Sequence, residues 1–246
     1  MTVSATLPPS LKMSIDEAGF ALLENVFTPS EVEHWKDVIA AALQSQPPGS
    51  HVHNDQTYAA RNLLGSCEEL ATLWRTPMLE QVVQTVLGDA AGLVRATYFD
   101  KTSGSSWAVP WHKDLVVSVD PPADSSKSGV WGPVKQKHGV AHSEAPLSVL
   151  RKMLQIRVNL DEQTDVNGAL AVLPKSHRDG KTVQMSGYRP HPVFGRAGSA
   201  LVLRPLVAHA SGHTRDEVGH RRVLALEFAA TQDLPDGFRW HDWVGV

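Results

Sequence analysis

The chain has 246 residues, a formal net charge of −3, 42% hydrophobic and 20% charged residues. That length and apolar content suit one domain with a sizeable core, and the charge balance gives no general electrostatic attraction to nucleic acid or an anionic membrane. The single cysteine, Cys67, excludes an internal disulfide framework and, with no activating neighbour in sequence, reads as an inert thiol.

The N-terminus shows no basic segment followed by an apolar run, and no stretch approaches the roughly 20 apolar residues that span a bilayer, so a cytoplasmic protein is expected. Residues 1–15 read as a loose arm and 19–27 as a strand. Thr28-Pro29-Ser30-Glu31 combines a capping box with proline at the first helical position. It predicts a helix to about Leu43 with Val32, Trp35, Val38, Ile39 and Leu43 on one stripe. Gln46 to Ser50 breaks the chain, and 67–87 reads as two short helices separated near Thr76-Pro77 and closed by Gly88. From Leu93 the character changes to short β-rich runs at 93–99, 114–119, 153–160, 169–173, 199–207 and 221–229. The Ser/Gly/Pro-rich stretch 121–146 between them reads as a lid loop. With no repeat and no linker, the expectation is one domain over 1–246. It is mainly β with flanking helices (α+β): a helical part at 1–92 and a jelly-roll or barrel core at 93–246.

Twelve histidines are many for this length. A facial iron site needs two histidines and a carboxylate, leaving the opposite side of the metal open. On a strand, residues i and i+2 point the same way, so His-x-Asp delivers two ligands together. Twelve histidines and fifteen aspartates yield about 0.7 such pairs by chance. There are three: His53/Asp55, His177/Asp179 and His112/Asp114. The first follows Pro-Pro-Gly-Ser in a loop, and the second sits in a turn leaving a strand. His112/Asp114 lies between the runs Val94–Phe99 and Leu115–Val119, with Trp107 and Trp111 nearby as apolar walls, and is the preferred pair.

The third ligand is expected to end a buried strand well downstream. The run Ser199 to His209 is apolar and terminates in histidine. An anionic cosubstrate then needs a fixed arginine, whose fork grips a carboxylate. Arg221 and Arg222 open the next β-run. Leu224, Leu226 and Phe228 share a face with Arg222, whereas Arg221 shares the other with the smaller Val223 and Ala225. Alternation therefore favours Arg221 for the ligand and keeps Arg222 as the alternative. Gln155 and Arg157 alternate with apolar residues and line the site if their face points inward, holding cosubstrate or substrate; otherwise they are a solvated face. Lys101 offers a second cation to the cosubstrate or a surface charge. His138 and His142 in the lid loop are candidates to touch substrate, and Trp240 and Trp243 read as packing.

Taken in order, these residues resemble the phytanoyl-CoA dioxygenase family of iron(II)/2-oxoglutarate oxygenases. The matching features are Gly19-Phe20 with the Thr28-Pro-Ser-Glu31 helix start, Trp111-His-Lys-Asp114, Asn167-Gly168 with Leu173-Pro-Lys-Ser-His177, and His209 followed by Arg221. Lys175 stands where the family often has glycine. The resemblance implies a double-stranded β-helix (jelly roll, cupin-like) with helices on one side. It implies iron(II) on His112, Asp114 and His209, and 2-oxoglutarate reaching Arg221, with O2 as the oxidant. Because Asp114 is present where halogenating relatives carry a small residue, it implies hydroxylation, here of a small organic metabolite with release of succinate and CO2. The alternatives are a cupin-like isomerase or dioxygenase that needs no 2-oxoglutarate, and a non-enzymatic jelly-roll binding module. The expected partner is a small molecule, with no nucleic acid and no membrane, and the chain acts as a monomer or homodimer.

Overall fold

The capping box at Thr28 forms. The Glu31 backbone N–H donates to Thr28 Oγ1, and Glu31 Oε2 accepts from the Thr28 N–H at 2.7 Å. The computed structural model, which describes residues 9–54, 56–215 and 219–246, runs in the following order. The first third holds α1 (Pro9–Glu17), β1 (Phe20–Leu23), α2 (Pro29–Gln44), β2 (Ser50–His53), β3 (Gln56–Ala60), α3 (Leu70–Leu73) and α4 (Pro77–Leu87). Then come β4 (Gly92–Lys101), β5 (Val109–His112), β6 (Val116–Asp120), β7 (Lys135–Lys137), β8 (Val140–Glu144), α5 (Leu147–Leu150) and β9 (Met153–Asn159). The last third is β10 (Leu170–Val172), β11 (His191–Val193), β12 (Ala200–Leu203), β13 (His209–Ser211), β14 (Arg221–Ala229), β15 (Arg239–Trp240) and β16 (Val244–Gly245).

Eight strands form one antiparallel sheet in the order β1-β12-β9-β14-β4-β3-β2, with β16 on β4. A four-stranded sheet, β11-β10-β13-β5, faces it, and a third, β15-β6-β8-β7, closes one side. This is the expected jelly-roll architecture. No described helix is long and apolar enough to cross a membrane.

The strands of the large sheet have two different faces, as a period of two requires. Their outer face packs on the helices. Ala96, Tyr98, Ile156, Val158, Leu224, Leu226 and Phe228 meet Ile15, Val32, Trp35, Ile39, Leu79 and Val83 in one buried cluster. Trp74 meets Phe228 edge-on at 4.8 Å. The inner face is lined by polar and charged residues and looks at the four-stranded sheet. Leu201 and Leu203 seal the two sheets against Leu170, Val172 and Val207. Trp240 is buried in a third cluster with Trp243 partly buried against it, so both tryptophans pack, as expected.

Three segments differ from expectation. Residues 9–15, read as part of a loose arm, belong to helix α1, whose Ile15 is buried in the core. The stretch 121–146 is not a structureless lid. It contains β7 and β8, and β8 pairs with β6, burying Val140, Ala141, His142 and Ser143. The helical segment 1–92 also carries β1, β2 and β3, which extend the large sheet at both ends. Their polarity is mixed and each is five residues or fewer, so no periodic signal marks β2 and β3.

The turn after β10 holds Lys175 at φ 72°, a region glycine favours, with its N–H donating to Ala18 O at 2.7 Å. Gly19, at φ 88°, lies so close to His177 and Val207 that a Cβ would approach them to 2.5 Å. A left-handed lysine costs about 1–2 kcal/mol, of which a glycine's extra chain entropy takes back roughly 0.5–1. Lys175→Gly is therefore expected to raise unfolding free energy by about 0.5–1 kcal/mol in a urea titration. Phe228→Ala, removing a fully buried ring, is expected to lower it by about 3–5 kcal/mol in the same experiment.

Candidate metal centre

Strand pairing assembles the centre. In the small sheet β13 runs antiparallel to β5, with His209 directly opposite His112. Their ring centroids are 4.2 Å apart. Just past β5, the Asp114 N–H donates to Pro205 O at 2.9 Å, which turns the carboxylate back between the two rings. His112 Nε2 lies 3.8 Å from Asp114 Oδ1, and His209 Nε2 lies 3.6 Å from Asp114 Oδ2. One ligand atom from each of the three lies within 4.8 Å of the others. Among the described residues no other cluster of this kind occurs.

Both imidazoles are set for coordination. His112 Nδ1–H donates to Pro110 O at 2.8 Å and His209 Nδ1–H donates to Val207 O at 2.9 Å. Each Nε2 is thereby left with its lone pair directed at the shared space. Burial pushes the 2%-exposed His209 down, favouring the neutral ring a metal requires. Burial alone would raise Asp114, but His209, His112, Arg95 and Arg157 hold it below the usual carboxylate range. Gln155 Nε2 donates to Asp114 Oδ2 at 3.1 Å, fixing the carboxylate's orientation.

The ligand-bearing segments are also tied down from behind. Lys113 points away from the cavity, is buried, and donates from Nζ to Ser176 O at 2.7 Å and Gly180 O at 2.8 Å. Ser176 Oγ accepts from the Ala208 N–H at 2.8 Å, next to His209.

The triad opens on a cavity of about 320 Å³ between the two facing sheets. Arg221, Lys101, Arg157 and Gln155 all line it, so the inner-face reading of these residues matches their placement. Lys101 is 2% exposed and donates to Ser211 Oγ at 2.9 Å and Gly212 O at 2.7 Å. Burial, with Arg221 and Arg157 alongside, pushes it down to about 7. Arg221 donates from Nη1 to Gln163 Oε1 and Gly168 O, both at 3.1 Å, while its buried Nε has no partner. Burial and the nearby Arg157 push this guanidinium down to about 9. Arg222 lies on the outer face and is committed to Asp161, donating from Nε at 2.8 Å and Nη2 at 2.9 Å.

Other sequence candidates fall elsewhere. His177 Nε2–H donates to Asp16 O at 3.2 Å, and His53 is exposed at the end of β2; Asp55 lies outside the described residues. His142 is buried beside Ser118, at 3.2 Å, rather than facing the cavity, and His138 sits edge-on to His51. Trp107 lines the cavity and Trp111 does not.

Alternation along β4 would also have found Arg95, six residues before Lys101 and so on the same face, and alternation along β14 would have found Glu227. Arg61, at the mouth, has no such signal. Half-buried Arg95 pairs with buried Glu227, Arg95 Nε donating to Glu227 Oε1 at 2.9 Å.

The sequence from residue 15 to residue 223 matches the family described as phytanoyl-CoA dioxygenase (PhyH). The chain belongs to the phytanoyl-CoA dioxygenase family. It is thus a non-haem iron, 2-oxoglutarate-dependent oxygenase, with iron(II) as metal and 2-oxoglutarate as cosubstrate. Solved structures share the fold at low sequence identity. The non-haem α-ketoglutarate-dependent carbocyclase SnoK from nogalamycin biosynthesis is 13% identical, with a TM-score of 0.69 over 96% of this chain and 91% of its own. EctD from S. alaskensis in its apo form is 18% identical, with a TM-score of 0.70 over 100% of this chain and 89% of its own. HygX from Streptomyces hygroscopicus, solved with nickel and 2-oxoglutarate bound, is 18% identical, with a TM-score of 0.61 over 91% of this chain and 87% of its own. Among curated proteins none matches the chain significantly.

Glu227→Gln keeps the shape but leaves the half-buried Arg95 charge without its ion-pair partner. It is expected to cost about 3 kcal/mol of stability, read by chemical denaturation.

Proposed function

We propose that His112, Asp114 and His209 hold iron(II), that Arg221 assisted by Lys101 takes the far carboxylate of 2-oxoglutarate, and that the enzyme hydroxylates a small organic metabolite with release of succinate and CO2. The observation that carries this reading is the meeting of two free Nε2 atoms and one carboxylate within 4.8 Å on one wall of the cavity. The donor set suits a facial iron(II) site, since three protein ligands leave the cavity side open. The buried, unpartnered Arg221 Nε suits a carboxylate, which would give that orphaned donor its acceptor.

Bound iron(II) with 2-oxoglutarate and O2 supplies an oxidation in which decarboxylation to succinate is coupled to replacement of a substrate C–H by C–OH. The chain's own residues position the reactants and exclude water. Pro110 O and Val207 O fix the imidazole tautomers. Gln155 orients Asp114. Phe99, Trp107, Val109 and Leu170 give the cavity its apolar wall. A volume of about 320 Å³ lies at the small end of ligand sites, and 2-oxoglutarate takes part of it, which favours a small substrate. We read residues 1–246 as one oxygenase domain, cytoplasmic, working as a monomer or homodimer.

Succinate formation from 2-oxoglutarate is expected to depend on added Fe(II) and to be lost in His112→Ala and Asp114→Ala. Arg221→Gln is expected to raise the KM for 2-oxoglutarate about tenfold or more, the worth of a charge-assisted hydrogen bond. Undiminished turnover in both ligand variants would sink the assignment.

A further inference from the structure

Seven charged side chains line the cavity, and five of them are cationic: Arg61, Arg95, Lys101, Arg157 and Arg221, against Asp114 and Glu227. Iron(II) and the 2-oxoglutarate dianion cancel each other, so loading the site leaves the positive excess in place. Arg95 is taken by Glu227, and Lys101 and Arg221 stand together at one end, opposite one another on β4 and β14. Arg61 and Arg157 remain, and neither has a carboxylate within ion-pair distance among the described residues. Among the described residues the Arg157 side chain makes one hydrogen bond, Nη1 to Gln155 Oε1, and it is long at 3.4 Å. Arg157 is half-buried and lines the cavity, so its remaining N–H groups are directed at whatever fills that space.

Strand register shows what lies between these two arginines. Arg157 is opposite Ala225 on β14, and Ala225 is opposite Thr97 on β4. Arg61 follows β3, whose Ala60 pairs with Tyr98, so its side chain enters from the far side of Thr97. Thr97 and Ala225 are small, and they make a floor with an arginine at each edge. The Arg157 guanidinium carbon sits 5.8 Å from the Phe99 ring centre, which limits its freedom. Asp114 is close enough to both arginines to act on them electrostatically, so the floor adjoins the metal centre. Arg61 is exposed at the mouth and Arg157 half-buried; partial desolvation, and for Arg61 the nearby Arg95 charge, depress both guanidinium groups, and an anion on the floor would offset this.

We propose that this floor is the anchoring subsite of the primary substrate, and that the substrate carries an oxyanion, a carboxylate or a phosphate monoester, gripped by Arg157 and Arg61 with the carbon to be oxidised turned towards His112, Asp114 and His209. The proposal rests on the metal and cosubstrate reading above and names the substrate class for it. Arg157 supplies the forked, oriented grip. Arg61 at the mouth guides the anion inward.

The test uses the full chain loaded with nickel(II), which does not turn over, and saturating 2-oxoglutarate. The probes are butanoate, phenylacetate and methyl phosphate at millimolar concentration, with butanamide and phenylacetamide as uncharged counterparts. Thermal midpoint and calorimetric affinity are the readouts. At least one anion is expected to bind without displacing 2-oxoglutarate, and its amide to bind about tenfold or more weakly. The carboxylate and phosphate arms show which oxyanion is preferred. Arg157→Gln is expected to lose about tenfold or more in anion affinity and Arg157→Lys to keep part of it, while both retain wild-type affinity for nickel(II) and 2-oxoglutarate. Arg61→Gln is expected to lose less.

The proposal is overturned if amides bind as well as acids, if no anion binds, or if Arg157→Gln binds anions like the wild type. It is also overturned if Arg157→Gln loses 2-oxoglutarate affinity in parallel, which would assign Arg157 to the cosubstrate. Failure of the wild type to take up nickel(II) and 2-oxoglutarate would count against the metal-centre reading instead. The comparison of anion binding between wild type and Arg157→Gln would still decide this proposal.

Discussion

The centre depends on one strand pairing. Because β13 meets β5 with His209 facing His112, two imidazoles from segments 97 residues apart are brought side by side by backbone hydrogen bonds. Asp114 joins them because its N–H is held by Pro205 O, which lies on the chain leading into β13. A one-residue slip in that ladder would send one imidazole to the opposite face and dissolve the group. The apolar packing of Leu201 and Leu203 against Leu170 and Val172 holds that register, since it exists only when both sheets are correctly phased.

The large sheet divides its work between its faces. Outward, Leu224, Leu226 and Phe228 bury against helices and supply stability. Inward, the same strand presents Arg221, Ala225 and Glu227 to the cavity. The charged lining is therefore buried in a jelly roll whose apolar attachment lies behind it, and that backing carries the desolvation cost of several guanidinium groups. The Arg95–Glu227 pair neutralises part of this lining next to the metal centre, while Arg221 Nε keeps an unsatisfied donor.

Much of this was legible in the sequence wherever a single period ran long enough. The alternation along β14 separated Arg221 from Arg222, and the structure puts the first in the cavity and the second on Asp161. The capping box located α2, and Gly88 closes α4. The apolar run ending at His209 and the His-x-Asp pair between β-rich runs pointed to the residues that converge. Illegible features share a physical cause: they depend on pairing with distant strands. The β2–β3 hairpin and the β7–β8 segment are short and polar, and their strand character comes from the partner edge. His142 looked free in a loop, yet β8 buries it beside Ser118. Arg61 follows a three-dimensional neighbour, Thr97, that no local pattern reveals.

The turn from Leu173 to Gly180 touches both ligand segments at once, through Lys113 behind His112 and Asp114 and through Ser176 beside Ala208. It works as a splint on the outer side of the jaws. Its position near α1, through His177 and Asp16, extends that splint to the protein surface. A molecule that grips or pries at this outer turn would alter the bite of the metal ligands without entering the cavity, making the back of the centre a lever on its front.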